Sequence, residues 1–271
     1  MAGENPAVTL PIQRLDLAGA GGLAQSSESV AVETPINIVY GTLPYAVMMA
    51  SPADLEDFVT GFSLTEGVIG ETADIRGLAV RSEAGGLVVE VDLVPERLRA
   101  HLALSRRRNL TGRTSCGLCG IENLDELPVA SRQAPQTAKL RATSIAAALA
   151  GLSAEQTLFR LTRSVHAAAW CEPDGRIVAV REDVGRHNAL DKLIGARLRA
   201  GCTRDGFVLV TSRASFEMVE KTAIFGAPAL VAISAPTTLA VERAKSLGLT
   251  LVALARRDAA LVFAGEVDTV R

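Results

Sequence analysis

Cysteine is scarce in this chain, and so are histidine and aromatic side chains. Four cysteines in 271 residues cannot build a disulfide scaffold, which points to a reducing compartment. Three histidines and the lack of a second C-x-x-C leave too few ligands at matched spacing for a closed structural zinc site. Aromatics at 4% against 48% hydrophobic residues describe an aliphatic core suited to an α/β enzyme. An excess of either charge is missing too. The 28 basic and 30 acidic residues leave a net charge of -2, which argues against a surface that coats nucleic acid, so any anion site must be local. No Lys or Arg precedes Arg14, so the start of a secretory signal is not expected. The uncharged stretch Thr222 to Val241 reaches spanning length, but Gly226, Pro228, Ser234 and Pro236 interrupt it, and a strand followed by a helix start fits better. These absences predict a soluble, cytoplasmic protein with no membrane and no nucleic-acid partner.

What the chain does have is one close cysteine pair, in Arg113-Thr114-Ser115-Cys116-Gly117-Leu118-Cys119-Gly120-Ile121-Glu122. Arg106, Arg107, Arg108 and Arg113 precede the pair, and no acidic residue lies between Glu96 and Glu122. Nearby cations stabilise a thiolate, the reactive form of cysteine. A bare C-x-x-C is shared by zinc sites, redox pairs and sulfur carriers, so the pattern around it must decide.

Residues 1–32, rich in Gly, Ala and Ser without sustained periodicity, read as a poorly ordered lead-in. Residues 33–132 read as a smaller mixed α+β domain that ends in the cysteine loop. In it Ile36, Ile38 and Tyr40 alternate as a strand, Tyr45 to Ala50 return, and Leu78–Arg81 and Leu87–Leu93 form a hairpin around Gly85-Gly86. Ser51 is the expected cap of a helix with Pro52 at its first position, and Leu55, Phe58, Val59 and Phe62 are its apolar face. Gln133 to Arg141 reads as a linker. From 142 to 271 strand, polar turn, helix, glycine and strand recur: a hairpin around Pro173-Asp174-Gly175, then strands near 207–210, 230–233 and 249–254 separated by helices. That rhythm belongs to a sheet with parallel members, and the fold class is α/β with an α+β N-terminal part.

The unusual polar residues follow strand ends: Arg181 to His187, then Thr211-Ser212-Arg213, then Ser234 with Thr237-Thr238, then Arg256-Arg257. Ligands of open α/β sheets bind outside those ends, and helix starts with Arg beside them suit phosphates. Bland readings compete. The Ser and Thr residues could be ordinary caps, Glu182-Asp183 a solvated charge run, His166 and His187 hydrogen-bonded structural residues, and Cys171 and Cys202 inert.

The zinc deaminases require His-x-Glu followed by Pro-Cys-x-x-Cys. Here Ser115 precedes Cys116, and none of His101, His166 and His187 has Glu two residues on, so deaminase chemistry is disfavoured. A thioredoxin-like site needs a strand before the pair, and the Arg-rich loop is a poor one. What remains is a nucleophilic thiolate near a phosphate-binding crevice, which suits sulfur transfer through a persulfide.

The stretches Gly61-Phe62-Ser63-Leu64-Thr65-Glu66-Gly67, Ser115 to Gly120, Arg181 to Lys192, Ser212 to Val219 and Ser234 to Ala240 resemble the FdhD/NarQ family of formate dehydrogenase accessory sulfurtransferases. The resemblance runs from about Glu33 to the C-terminus. Arg163-Ser164 stands where the family has Gly-Gly, and Leu254-Ala255-Arg256 departs from a Phe-x-Arg-like turn. The resemblance implies a cytidine-deaminase-like, three-layer C-terminal domain. It also implies a carrier that takes sulfur from a cysteine desulfurase and passes it to bis-molybdopterin guanine dinucleotide, the molybdenum cofactor (bis-MGD), before insertion into the formate dehydrogenase catalytic subunit. A cofactor-binding chaperone without a sulfur relay is the alternative, and a zinc hydrolase a weaker one. By position Cys116 matches the persulfide-forming cysteine, with Cys119 its partner. Leu254, Ala255, Arg256, Arg257, Asp258 and Ala259 match the cofactor-binding loop. Ser212, Arg213, Ser234, His166, His187 and Asp183 are the further expected cofactor contacts. No metal ligand is expected, and a homodimer is.

Overall fold

The computed structural model describes residues 5–19, 21–105, 130, 140–201 and 205–269. The cysteine pair, the arginines before it, Cys202 and most of the expected linker lie outside the described residues.

Residues expected as a poorly ordered lead-in instead form an antiparallel hairpin, β1 (Ala7–Leu15) with β2 (Leu23–Ala31). Small and polar residues masked its alternation, since Gln, Ser and Thr occupy positions where a buried strand would be apolar. The N-terminal sheet follows. β3 (Thr34–Tyr40) pairs antiparallel with β4 (Leu43–Ala50), helix α1 (Leu55–Thr65) comes next, and β5 (Ile75–Glu83) and β6 (Gly86–Leu93) form the expected hairpin. The sheet order is β4-β3-β6-β5, with β3 and β6 parallel. Helix α2 (Pro95–Ser105) was not foreseen; its His101 packs at 5.0 Å and 5.2 Å ring separation from Tyr40 and Tyr45.

The remaining elements are β7 (Leu140–Arg141), α3 (Ala142–Glu155), α4 (Thr157–Thr162), β8 (His166–Cys171), β9 (Ile177–Asp183), α5 (Arg186–Arg199), β10 (Phe207–Val210), α6 (Phe216–Phe225), β11 (Ala229–Ala232), α7 (Thr238–Leu247), β12 (Thr250–Ala253), β13 (Leu261–Ala264) and β14 (Val267–Asp268). The larger sheet runs β13-β12-β11-β10-β8-β9. β10, β11 and β12 are parallel, as the strand–helix–glycine rhythm predicts, and the others antiparallel. The last residues of the expected linker are not a linker, because Leu140 and Arg141 pair with β14.

Strand alternation creates two cores. Val208, Val210, Leu230, Ala232, Leu251 and Ala253 face helices α5, α6 and α7, while Phe207, Leu209, Ala229, Val231 and Val252 face α3 through Ile145, Ala148 and Leu152. The C-terminal part is therefore the three-layer α/β sandwich expected.

The two parts share the first core through α1 and α5. These helices cross so closely that a Cβ at Gly61 would lie 1.9 Å from the Asp191 carbonyl oxygen, and one at Gly195 1.8 Å from that of Asp57. Two buried ion clusters join the two parts beside the same helices. Lys192 Nζ meets Asp183 Oδ2 at 2.7 Å, both side chains fully buried, and donates to the Ser51 carbonyl at 2.9 Å. Lys221 Nζ meets both Asp191 oxygens, at 3.0 and 2.9 Å, beside Thr65. The first cluster corrects the expected helix start. Ser51 is drawn to Asp183, donating its N–H at 3.0 Å, and α1 begins later, at Leu55 after a left-handed Asp54 that makes no side-chain cap.

Candidate functional site

Parallel strands deliver their carboxyl ends to one edge, and antiparallel β8 and β9 bring a strand start and a strand end to the same edge. Ile233 N–H donates to the Val210 carbonyl at 2.9 Å, Leu254 N–H to Ser234 O at 3.1 Å and Thr211 N–H to Ala167 O at 3.0 Å, while His166 stands opposite Asp183 in register. Leu254, Ser234, Ser212, Arg213 and His166 thus share one rim, and Arg186 and His187 begin α5 beside it. Ala214 and Pro236 form a further bridge, stitching the two turns after β10 and β11 together.

The expected site residues fall into three groups along that rim. Arg213, Arg256, Arg257, Asp258 and Ala259 are exposed, as are Leu254 and, in part, Ser234 and His166. Ser212 is buried, its hydroxyl donating to the Arg213 carbonyl at 3.1 Å, and Ala255 is buried with its N–H on the Ala232 carbonyl. His187 is also buried, 3.9 Å from the Glu217 carboxylate. Asp183 requires a correction: it is fully buried, and its carboxylate accepts from Ser51 N, Gly185 N, Asn188 Nδ2 and Lys192 Nζ. With every lone pair committed, Asp183 fixes the α5 turn from behind and has no free oxygen for a ligand. Glu182 is likewise no solvated charge, since it accepts from the Leu158 and Phe159 N–H groups at the start of α4.

Two further groups stand at the rim: Arg186, part of the Arg181 to His187 run already expected beside a ligand, and Ser215, which was given no such role. The Arg186 Nε and Ser215 Oγ atoms are buried without a hydrogen-bond partner among the described residues, at the starts of α5 and α6. Burial lowers the His166 pKa, and the nearby Arg186 cation lowers it further against the opposing pull of Asp183. His166 is therefore a neutral imidazole over more of the acidic range than an ordinary histidine. Thr237, by contrast, is the ordinary cap considered above, accepting from Ala240 N–H at 3.3 Å.

Beyond the rim the Arg256–Ala259 turn, closed by an Arg256 N–H to Ala259 carbonyl bond of 2.7 Å, lines a cavity of about 600 Å³. Its walls are apolar: Ile145 and Leu149 of α3, Val252, Val262 and Val267. That volume lies in the range of sites for single organic ligands. Arg256 and Arg257 line its polar part, together with Asp258 and Glu266. The α3 wall was missed, although Ile145, Ala148 and Leu152 repeat at helical spacing. Among the described residues no group of His, Cys, Asp or Glu is placed to hold a metal ion, and no helix is long and apolar enough to cross a membrane. Cys171, expected to be inert, is buried in the second core, and burial with Glu172 nearby pushes its thiol up to about 12.

The FdhD/NarQ family model matches residues 31–269, nearly the whole chain and both cysteines of the pair. The chain belongs to the FdhD/NarQ family. Relatives named sulfur carrier protein FdhD include one from Bordetella petrii, 46% identical over 249 residues, covering 90% of this chain and 88% of that one. Another, from Agrobacterium fabrum, is 48% identical over 243 residues and covers 88% of each. The crystal structure of a candidate formate dehydrogenase accessory protein from Desulfotalea psychrophila superposes with a TM-score of 0.71 at 25% identity, over 96% of this chain and 98% of that one.

Proposed function

We propose that this protein is a sulfur carrier for formate dehydrogenase maturation, which takes sulfur from a cysteine desulfurase on Cys116 and passes it to bis-MGD as its substrate. The observation that carries the reading is the Arg256–Ala259 turn. It joins an arginine-bearing rim to an apolar cavity of about 600 Å³, in a chain whose FdhD/NarQ match also spans the C-x-x-C. Bis-MGD has two nucleotide arms, and the cavity suits one of them, with the diphosphate toward Arg256 and Arg257. Arg213 and Ser234 extend the rim toward the rest of the molecule.

The chemistry balances without a resident metal. The Cys116 thiolate attacks the terminal sulfur of the desulfurase persulfide; one S–S bond forms, the donor's S–S bond breaks, and the donor cysteine leaves as thiolate. Attack by the Cys119 thiolate on the Cys116 sulfur then forms a Cys116–Cys119 disulfide and releases the outer sulfur as hydrosulfide for the acceptor. The two electrons come from the thiol pair, so a dithiol reductant must reopen the disulfide in each cycle. Transfer is tested by single-turnover delivery of labelled sulfur from the loaded protein to bis-MGD. Cofactor that stays unlabelled while the protein keeps its persulfide refutes the relay.

A second reading, a bis-MGD chaperone without sulfur transfer, rests on the same rim and cavity, which could hold the cofactor whether or not sulfur is relayed. A Cys116→Ala, Cys119→Ala variant that still activates formate dehydrogenase selects this reading. The reading also includes a homodimer, which sedimentation tests directly.

A further inference from the structure

Between Ser105 and Leu140 one residue, Ala130, is described, and it is held in an unusual way. Its N–H donates to Glu220 Oε2 at 2.5 Å, and its carbonyl accepts from Arg243 Nη2 at 3.0 Å. Glu220 and Arg243 lie on α6 and α7 and pair with each other through Oε1 and Nε, so two packed helices contribute one half each of a charged grip. The Glu220 side chain is 3% exposed. Arg243 uses its third nitrogen on Ser246 Oγ at 3.3 Å.

A buried ion pair is costly unless its remaining lone pairs and protons are satisfied. Here that condition is met by the backbone of Ala130, which supplies the donor for Glu220 Oε2 and the acceptor for Arg243 Nη2. Contacts to both backbone groups of one residue fix position and direction without selecting a side chain. Ala130 lies eleven residues after Cys119, and the next described residue downstream, Leu140, lies twenty-one after it.

We infer that Glu220 and Arg243 are positioning residues for sulfur delivery, setting the downstream anchor of the cysteine segment against the domain that carries the rim. The inference rests on the sulfur-carrier reading. Release of Ala130 is expected to slow delivery, while uptake from a separate donor protein is unaffected.

The test compares wild-type protein with Glu220→Ala, Arg243→Ala and Ala130→Pro, the last removing the donor while leaving α6 and α7 intact. Sulfur uptake from a desulfurase with cysteine is read by mass spectrometry, and single-turnover delivery to bis-MGD by labelled sulfur, on variants shown to be folded by thermal melting. The expected result is unchanged uptake with slower delivery, together with faster hydrogen exchange at the Ala130 amide in Glu220→Ala. Parallel loss of uptake and delivery, or no loss of either, overturns the inference. If wild-type protein takes up no sulfur, the relay itself has failed and this role with it. If wild type loads and delivers and all three variants match it, only the grip is refuted.

Discussion

Replacing Gly61 by alanine sets two effects of opposite sign against each other. In an isolated helix Gly→Ala is stabilising by about 1 kcal/mol, because alanine loses less backbone entropy. At the α1–α5 crossing the new methyl group would sit 1.9 Å from the Asp191 carbonyl oxygen and 2.8 Å from the Gly195 nitrogen. Ordinary non-bonded contact is about 3.5 Å, so the helices must part by about 1.5 Å. Both obstructions are backbone, and no rotamer change relieves them. Overpacking of this kind costs about 1–3 kcal/mol, and the rigid contact places it at the upper end. The net expectation is a loss of about 2 kcal/mol, or about 4–8 °C in Tm for a chain of this size. Gly195→Ala is expected to behave alike, since its methyl would meet the Asp57 carbonyl at 1.8 Å. The double variant is expected to cost less than the sum, because helices already parted by one methyl accommodate the other. Melting curves for the two singles and the double decide it. A Gly61→Ala protein as stable as wild type, or more stable, would refute the close crossing.

Further expectations follow from the buried charges and the rim. Lys192→Met leaves Asp183 buried without its counter-ion and is expected to cost about 3 kcal/mol, with Asp183→Asn partly restoring stability in the double variant; urea titration measures both. The folded His166 pKa lies below its unfolded value of 6.5, so between the two the unfolded chain binds the extra proton. Stability therefore rises with pH through that window and is lost as pH falls below 6.5, and His166→Gln is expected to flatten this dependence in melts at constant salt. Arg256→Ala and Arg213→Ala are each expected to weaken guanine nucleotide binding by about tenfold in calorimetry, a charge-assisted hydrogen bond being lost in each case. Native-state alkylation is expected to spare Cys171, whose buried thiol is pushed up to about 12; rapid labelling there would contradict its burial.

Periodicity revealed the elements whose apolar residues face one way. Leu190, Leu193, Ile194 and Leu198 marked α5, and Phe207 to Val210 marked a buried strand. The glycines after α5, α6 and α7 are left-handed, as a helix stop requires, with φ of 61°, 87° and 66° at Gly201, Gly226 and Gly248. The β1–β2 hairpin escaped because its residues are largely exposed and polar, so no half-buried alternation advertises it. The start of α1 was misplaced because a Ser-Pro sequence carries cap chemistry locally, while Asp183, 132 residues away, claims the Ser51 backbone. The rim was legible because each contributing turn follows a strand, and topology alone aligns strand ends. Asp183 was misjudged on the same grounds: its place at a strand end says nothing about which way a carboxylate is spent. The α3 wall of the cavity and the Glu220–Arg243 grip depend on elements distant in sequence, which no local pattern brings together.

The central claim is that Cys116 carries sulfur destined for a guest held at the arginine rim. Incubation with a cysteine desulfurase and cysteine, followed by peptide mass spectrometry, tests it most directly. One added sulfur atom on the peptide containing Cys116 and Cys119, lost in Cys116→Ala and absent from Cys171, is the predicted result. Both thiols of the pair recovered free and unmodified, under conditions where the desulfurase itself carries persulfide, would contradict it.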